Sequence, residues 1–309
     1  MIEVAAGVLT DARGRVLLMQ RKPGTHLAGA WEFPGGKLER GEHVEQALVR
    51  EMREELGIEA REFAPLVSLP WRYPEKAIRL HALRVTGWGG EPQAREGHPL
   101  RWVPLDAIDT AGMPAADRPI VAALRLPTLY AISPAASNDH DAAGWLGSMD
   151  RDPRAALVQL RLPGIGRANV GRALRLALDR LAIPRNRLLV NSDIDLAREL
   201  RIGVHLRAAQ LRELQQRPLP DAQWVGVSCH DAEELERAAE IGADFATLSP
   251  VCKTPSHPEA LPLGWDRFAE LVHEARLPVY ALGGVGPGDL DRARAAGAQG
   301  VAGIRAFHG

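Results

Sequence analysis

The chain has 309 residues, of which 46% are hydrophobic and 25% are charged, and its formal net charge is −1. This length exceeds what a single hydrophobic core usually organises, so we expect two domains. The balanced charge argues against a protein that binds a nucleic-acid polymer, and no apolar run is long enough to suggest a membrane protein.

The first predicted element is a β-hairpin, formed by Val4–Leu9 and Val16–Gln20 around a turn at Asp11–Gly14. This pattern differs from the basic flank and apolar stretch of a signal peptide. Cys229 and Cys252 are too few for a disulfide framework and are typical of a reducing compartment. We therefore expect a cytoplasmic protein, and the sequence does not indicate its oligomeric state.

The residues up to Arg125 alternate strands with one strong helix. That helix is predicted over Val44–Leu56 and ends at Gly57, which occupies the C-terminal cap position. Few helices among mostly antiparallel strands are typical of an α+β sandwich. The other elements predicted here are strands at Trp31–Phe33, Ala64–Leu69, Ala77–Thr86 and Leu100–Val103, and a closing helix near Ala115–Leu124.

The predicted helix carries three glutamates at positions that share one face. Glu51, Glu54 and Glu55 stand at i, i+3 and i+4, and like charges at this spacing destabilise a helix unless a cation lies among them. Carboxylate oxygens suit Mg²⁺ or Mn²⁺, which bridge protein carboxylates to substrate phosphates. Glu42 precedes the helix and is expected to form an ion pair with Arg50. The alternative is an ordinary solvated helix rich in charge.

The full spacing from Gly36 to Ile58 resembles the Nudix box, G-x5-E-x7-R-E-U-x-E-E-x-G-U with U apolar, at every specified position. Over roughly residues 3 to 125 the chain also resembles the MutT-type 8-oxo-dGTP diphosphatases. The phrases that carry this resemblance, in order, are Arg21, Trp31–Lys37, Tyr73–Lys76, Arg95–Gly97 and Pro114–Pro119.

This resemblance implies hydrolysis in which water attacks the inner of two bridged phosphates, giving a nucleoside monophosphate and pyrophosphate. It implies that Mg²⁺, for which Mn²⁺ can substitute, is the cofactor. Glu51 is the first choice for the group that takes the proton, and Glu96 is the second. The implied metal ligands are the Gly35 carbonyl, Glu51, Glu54, Glu55 and Glu96.

The same resemblance implies a nucleotide pocket lined by Arg21, Phe33, Tyr73, Lys76 and Asp117. Phe33 and Tyr73 could stack on a purine or fill the core. Asp117 stands where bacterial relatives often have asparagine, and an ionised aspartate can only accept hydrogen bonds. An acceptor beside N7 favours an 8-oxo-purine, whose N7 carries a proton. The alternative for Asp117 is a structural role at the start of a helix.

From Leu126 onward, eight apolar runs alternate with helix-like segments. This alternation of strand-like and helix-like segments predicts a compact (β/α)8 barrel, although such barrels typically have about 250 residues. The domain boundary is expected within Arg125–Leu129, which gives domains of residues 1–126 and 127–309. The runs are Leu129–Ser133, Ala156–Leu162, Leu188–Asn191, Val204–Leu206, Trp224–Ser228, Phe245–Val251, Val279–Gly283 and Val301–Ala306, and the clearest helices are Val170–Leu181, Asp231–Ile241, Asp266–Glu274 and Asp289–Ala296.

This half resembles the thiamine-phosphate synthase and TenI-like thiazole tautomerase family over nearly its whole length. The phrases are Gln159–Arg161, Val190–Asn191, Gly203–Leu206, Gly226–His230, Leu248–Val251, Pro262–Trp265 and Leu282–Val285. The resemblance implies that His230 could transfer a proton, as in the tautomerase, or could be structural. It also implies a phosphorylated small molecule bound at Gly283, Gly284, Gly303 and Arg305.

The barrel half departs from the synthase pattern at the residues for Mg²⁺ and pyrophosphate. Ser192 and Gln210 replace carboxylates, and Leu162 stands near the position of a lysine. Asp193 follows Ser192, but strand alternation would point it to the opposite side. We therefore expect poor binding of Mg²⁺-pyrophosphate.

The leading hypothesis is a two-domain enzyme whose first half hydrolyses an oxidised purine nucleoside triphosphate. One alternative is a Nudix hydrolase for a thiamine-related pyrophosphate. For the barrel, the alternatives are a thiazole tautomerase, a thiamine-phosphate synthase and a binding module without catalysis.

Overall fold

The computed structural model describes residues 1–24, 27–95, 97–134, 144–147, 157–179, 183–254 and 259–304. Two compact units divide the chain, Met1–Arg125 and Leu126–Gly309. Within the described residues, no helix combines the length and the apolar character needed to cross a membrane.

The first unit is built from two sheets and two described α-helices, which confirms the predicted α+β class. The four-stranded sheet has the order β4-β1-β6-β5, and the three-stranded sheet has the order β3-β2-β7. The strands are β1 Ile2–Leu9, β2 Arg15–Gln20, β3 Trp31–Glu32, β4 Gly35–Lys37, β5 Glu59–Arg72, β6 Ala77–Gly89 and β7 Leu100–Pro104, and the helices are α1 Val44–Leu56 and α2 Arg118–Arg125.

The pairing of β1 with β6 is parallel, while every other strand pair in this unit is antiparallel. β5 is much longer than the predicted strand at Ala64–Leu69, because it tolerates Pro65 and Pro70. It lies at the edge of the sheet, and its register with β6 shifts between Pro65 and Val67. Edge strands and bulges are the places where proline can stand within a sheet.

Two apolar cores hold this unit together. Ala47, Leu48, Met52 and Leu56 of α1 are fully buried in one core. The second core is formed by α2 with the opposite face of the sheet, and it includes Phe33. The glutamates of α1 are thus fixed by a helix whose apolar side is anchored along its length.

The second unit is a closed barrel of eight parallel strands, as predicted. Tyr130, Phe245 and Tyr280 fill its interior, with ring centroids 5.5–5.6 Å apart. The strands are β8 Leu129–Ile132, β9 Leu157–Leu160, β10 Leu188–Asn191, β11 Gly203–Leu206, β12 Val225–Cys229, β13 Phe245–Leu248, β14 Val279–Ala281 and β15 Gly300–Gly303. The helices described between them are α3 Arg167–Asp179, α4 Ile194–Leu200, α5 Ala208–Leu211, α6 Ala232–Glu240, α7 Gly264–Glu274 and α8 Leu290–Ala295.

Candidate active site and barrel mouth

Helix α1 begins and ends where the sequence predicts. The backbone N–H of His43 donates to the Gln46 side chain at 2.9 Å, which ties the residue before the helix to its first turn. Gly57 adopts a left-handed conformation with φ 67°, and its N–H donates to the Arg53 carbonyl. These two ends set the orientation of the helix and therefore of its glutamates.

Arg50 is the cationic centre of the carboxylate cluster. Its guanidinium binds both carboxylate oxygens of Glu42 at 2.9–3.0 Å, Glu51 at 2.7 Å and Glu54 at 3.3 Å. The hydrogen bonds with Glu42 are the main reason that the pKa of Arg50 is raised above its usual value. The predicted pair of Glu42 with Arg50 is confirmed.

The spacing of the box glutamates predicted a cation among them, and part of that positive charge comes from Arg50 of the chain itself. Glu54 stands four residues after Arg50 and therefore on the same helix face. The long Arg50 side chain also reaches the adjacent Glu51. Among the residues that the structure describes, no three acidic, histidine or cysteine side chains are already arranged around a metal-sized point. Glu96 lies outside the described residues.

Two glycines let the helix approach strand β4 closely. A Cβ on Gly36 would lie 2.0 Å from an oxygen of Glu51, and a Cβ on Gly35 would lie 2.1 Å from the Ala5 carbonyl oxygen. Gly35 also has φ 145°, which other residues rarely adopt, and its N–H donates to Glu55 at 3.0 Å. Any side chain here would separate the carboxylates from the strand.

The donor set fits a hard divalent cation. Glu55 lies against the Gly35 N–H, Glu51 lies against Gly36, and Glu54 shares Arg50 with Glu51. All three offer carboxylate oxygens, which are the ligands that Mg²⁺ prefers. The carboxylates of Glu42, Glu51 and Glu54 stabilise positive charge, as their contacts with the Arg50 guanidinium show. The fit supports a metal site, while the identity of the metal stays a prediction.

A cavity of about 360 Å³ adjoins the two glycines. It lies in the size range typical of small-molecule sites. All five residues predicted for the nucleotide pocket line it, namely Arg21, Phe33, Tyr73, Lys76 and Asp117. The structure therefore brings this predicted set together.

The aromatic residues of the cavity contribute differently. Phe33 is only 4% exposed and belongs to the second core, so it both packs and lines the cavity. Tyr73 is partly buried, and the Lys76 ammonium lies 5.6 Å from its ring centroid. The Tyr73 N–H donates to the Lys76 carbonyl at 2.8 Å, so one tight turn positions both side chains.

Asp117 is buried at the edge of this cavity. Burial raises its pKa well above the usual value, and the nearby Glu32 carboxylate raises it further. A hydrogen bond from the Phe33 backbone and the charge of Arg21 oppose this shift without reversing it. These surroundings favour the neutral carboxyl, which can donate as well as accept a hydrogen bond, as an asparagine amide does.

Sequence reasoning missed Glu32 and His98 as residues of this cavity. Both line it, and Glu32 is bonded to Arg21. Burial raises the pKa of Glu32, while Arg21, His98 and Lys76 act to lower it. The opposite charges of Arg21 and Glu32 could have indicated that these residues are neighbours. That prediction requires the pairing of β2 with β3, which the sequence does not show.

The buried Asp117 has a consequence for stability. The pKa of this carboxyl is higher in the folded state than its unfolded value of 3.8. Its contribution to the free energy of unfolding is therefore complete below that unfolded value, and it is lost as the pH rises through the folded pKa. We expect Asp117→Asn to raise the Tm of the first unit by a few degrees at pH 7–8 and to leave it nearly unchanged at about pH 4. Thermal unfolding monitored across pH checks this.

The control is Asp106→Asn, which changes an exposed aspartate in the same way. It should shift Tm equally little at both pH values. A Tm difference for Asp117→Asn that stays constant with pH would contradict the raised pKa of Asp117.

At the carboxyl ends of the barrel strands, a chain of polar side chains reaches from the interior to the mouth. The Tyr130 hydroxyl donates to Gln159 at 3.0 Å and also contacts His205 Nδ1 at 2.9 Å. From there Gln159 donates to Asn191, and His205 Nε2 contacts Ser228 Oγ at 2.9 Å. Burial lowers the pKa of His205 to about 3, so this ring is neutral.

Three residues near the departures from the synthase pattern have structural contacts of their own. Asp193 caps α4 by accepting from Leu196 N–H, and it pairs with Arg167 at 2.7 Å. Gln210 donates to the Ser192 carbonyl and accepts from Arg207 N–H. Leu162 is buried. The donor set at this mouth does not fit Mg²⁺-pyrophosphate.

The remaining barrel predictions are placed as follows. His230 lies just after β12, is half exposed, and its Nδ1 contacts Glu234 at 2.9 Å. Gly283 and Gly284 have φ 93° and 68°, and a Cβ on either would contact the Pro250–Lys253 backbone at 2.4–2.8 Å. This packing explains both glycines without a phosphate. Gly303 ends β15, and Arg305 lies outside the described residues.

Comparison with known proteins agrees with both units. Residues 2–124 match the NUDIX domain family, and residues 129–307 match TMP-TENI, thiamine monophosphate synthase. An 8-oxo-dGTP diphosphatase of Escherichia coli (strain K12) is 36% identical over 40% of this chain and 96% of that protein. A CTP pyrophosphohydrolase of the same organism is 43% identical over 40% of this chain and 90% of that protein. A putative thiamine-phosphate synthase of Geobacter sulfurreducens is 40% identical over 48% of this chain and 72% of that protein.

Proposed function

Because the chain belongs to the Nudix hydrolases through its first unit and to the TMP-TENI family through its second, we propose that the first unit hydrolyses an oxidised purine nucleoside triphosphate to the monophosphate and pyrophosphate. One observation carries this proposal. Gly35 and Gly36 line the cavity and also contact Glu55 and Glu51, so the carboxylate cluster adjoins the predicted nucleotide pocket.

Each group of the site has a role in the proposed hydrolysis. A divalent cation held by Glu51, Glu54 and Glu55 would supply charge neutralisation and a more acidic water. Glu51 takes the proton from the attacking water, and Arg50 orients its carboxylate. Lys37 and Lys76, which line the cavity, offset the charge of the triphosphate.

The base preference is tested at Asp117. Removal of its buried carboxyl leaves the base without a partner, so Asp117→Ala should reduce the preference for 8-oxo-dGTP over dGTP by about tenfold or more. The measurement is kcat/KM for both nucleotides at saturating Mg²⁺, with Asp106→Ala as the exposed control. Equal kcat/KM for the two nucleotides in the unaltered chain would defeat the proposed substrate.

A pyrimidine nucleoside triphosphate is the second candidate substrate. It is favoured by the 43% identity with the CTP pyrophosphohydrolase. A panel of CTP, dCTP, 8-oxo-dGTP and thiamine diphosphate discriminates the candidates by their kcat/KM. This panel also tests the alternative of a thiamine-related pyrophosphate.

For the second unit, we propose binding of a small molecule at the barrel mouth without synthesis of thiamine phosphate. The support is the polar chain that ends at Asn191 and Ser228, together with the engaged side chains of Asp193 and Gln210. His230, held by Glu234, remains a candidate for proton transfer in a tautomerase reaction.

A further inference from the structure

Three polar side chains on neighbouring strands of the first unit form a hydrogen-bonded triad. Glu3 lies on β1, His81 on β6 and Ser68 on β5, and these strands adjoin in the order β1-β6-β5. His81 Nε2 lies 2.6 Å from a Glu3 carboxylate oxygen, and His81 Nδ1 lies 3.0 Å from the Ser68 hydroxyl oxygen. At these distances, a hydroxyl, an imidazole and a carboxylate have the arrangement of a nucleophile, its general base and the group that orients the base.

The triad faces away from the cavity of the first unit. Val4 of β1 and Leu80 of β6 pack against or within the second core and line the cavity. Side chains alternate between the two faces of a strand, so the adjacent Glu3 and His81 face the other side of the sheet. Ser68 is the cross-strand partner of His81 and shares its face. The triad is therefore separated from the proposed nucleotide site by the sheet itself.

The triad is open to solvent. The Glu3 side chain is 41% exposed, the His81 side chain is 21% exposed, and Ser68 is partly exposed. Further along the same face, Leu9 and Leu83 are buried in the core that α1 covers. A small electrophile can therefore approach Ser68 from solvent without entering the cavity.

The positions of the protons follow from what each group can donate. An ionised carboxylate only accepts, so His81 Nε2 carries the hydrogen that Glu3 accepts. In the neutral ring Nδ1 is then unprotonated, and it accepts the hydrogen of the Ser68 hydroxyl. In this tautomer the His81 ring is placed to take the Ser68 proton.

We propose that Ser68 is a nucleophile and that the triad hydrolyses small uncharged carboxylic esters. The Ser68 oxygen attacks the ester carbonyl carbon while its proton passes to His81 Nδ1, and the Glu3 carboxylate stabilises the imidazolium that forms. The alcohol leaves with the proton from His81, and an acyl ester remains on Ser68. Water then attacks this acyl ester with His81 again as the base, which releases the carboxylic acid and restores the hydroxyl.

The substrate class follows from charge and accessibility. The exposed Glu3 carboxylate disfavours an anionic ester close to Ser68. The triad lies on an open sheet face, so it selects esters by their reactivity more than by their shape. Small esters with a good leaving group meet both conditions.

The test measures hydrolysis of p-nitrophenyl acetate by the full chain and by Ser68→Ala. A general base typically contributes about 10²–10⁴-fold to a rate, so we expect Ser68→Ala to lower the rate above the uncatalysed background by about tenfold or more. Thr86→Ala removes an exposed hydroxyl from β6 and is the matched control, which should leave the rate unaltered. Ser68 is the only serine among residues 1–125, so an acetylated peptide from this part of the chain identifies it directly.

Substitutions of the other two residues separate catalysis from a structural role. His81→Ala should lower the rate as much as Ser68→Ala does, and added imidazole should restore part of it by supplying a base. Glu3→Gln should have a smaller effect, because the amide oxygen still accepts from His81 Nε2 but carries no charge. A purely structural triad predicts equal rates of ester hydrolysis for the unaltered chain and Ser68→Ala, and this result would overturn the proposal.

A measurement on the unaltered chain covers the case in which the variants do not fold. Phenylmethylsulfonyl fluoride sulfonylates an activated serine with loss of fluoride, and mass spectrometry locates the added group. We expect labelling of Ser68 at least about tenfold faster than that of Thr86, with a matching loss of ester hydrolysis. Ser68 left unlabelled, or labelled no faster than Thr86, would refute its activation. Neither readout uses a nucleotide, so the outcome is independent of the function proposed above.

Discussion

Replacement of Glu54 by glutamine is expected to lower kcat for nucleotide hydrolysis by about 10²–10³-fold, the usual effect of losing one electrostatic contact with the transition state. The Glu54 side chain is 52% exposed, and its contact with Arg50 is 3.3 Å long. The substitution therefore removes a negative oxygen from the predicted metal site without disturbing a core. Pyrophosphate release, measured over a range of Mg²⁺ concentrations, gives kcat and the metal dependence together.

Glu55→Gln should have a similar effect on kcat, although Glu55 is buried and accepts from the Gly35 N–H. The glutamine oxygen can still accept that hydrogen bond, so the fold should persist. Glu45→Gln, an exposed change in the first turn of the same helix, is the matched control and should leave kcat unaltered. Unaltered turnover in Glu54→Gln or Glu55→Gln would remove the basis for the metal site. Chelation should abolish activity, and Mg²⁺ or Mn²⁺ should restore it.

The second large effect concerns the barrel, which we expect to form no thiamine phosphate above background. The physical reason is the missing oxygen ligands, since Ser192 and Gln210 carry no charge and Asp193 already caps α4. The full chain is incubated with the pyrimidine pyrophosphate, the thiazole phosphate and Mg²⁺, and thiamine phosphate is assayed directly. A known thiamine-phosphate synthase assayed in parallel is the control for the substrates.

Robust synthesis that Ser192→Ala abolishes would show that the mouth is a working site. Ser192 is the better probe because Asp193→Ala also removes a helix cap, which typically reduces stability by about 1 kcal/mol. Loss of synthesis in Asp193→Ala alone would therefore need a matched thermal unfolding measurement.

The sequence predicted the elements whose signals are local. The start of α1, its end at Gly57 and the eight barrel strands follow from periodicity and caps, and the structure has them within a few residues. The parallel pairing of β1 with β6 was not predictable, because both strands alternate in the same way whichever neighbour they take. Strand β4 at Gly35–Lys37 was missed because Pro34 and two glycines resemble a turn.

The candidate site shows the same division between local and long-range information. The glutamates of α1 were predictable from spacing within one helix. The ring of hydrogen bonds around Arg50 was only partly predicted, because the sequence indicated Glu42 but not Glu51 and Glu54. The raised pKa of Asp117 comes first from burial, which spacing cannot reveal, and then from Glu32, which is distant in sequence.

The polar chain inside the barrel fixes which group donates and which accepts in each of its hydrogen bonds. The Tyr130 hydroxyl donates to Gln159, so neutral His205 carries its hydrogen on Nδ1 and donates it to the Tyr130 oxygen. The unprotonated Nε2 of His205 then accepts a hydrogen bond from the Ser228 hydroxyl. Gln159 in turn uses the oxygen of Asn191. The barrel mouth consequently shows amide hydrogens at Asn191 and lone pairs at Ser228. The buried Tyr130 thus determines which hydrogen-bond donors and acceptors a ligand would contact at the barrel mouth.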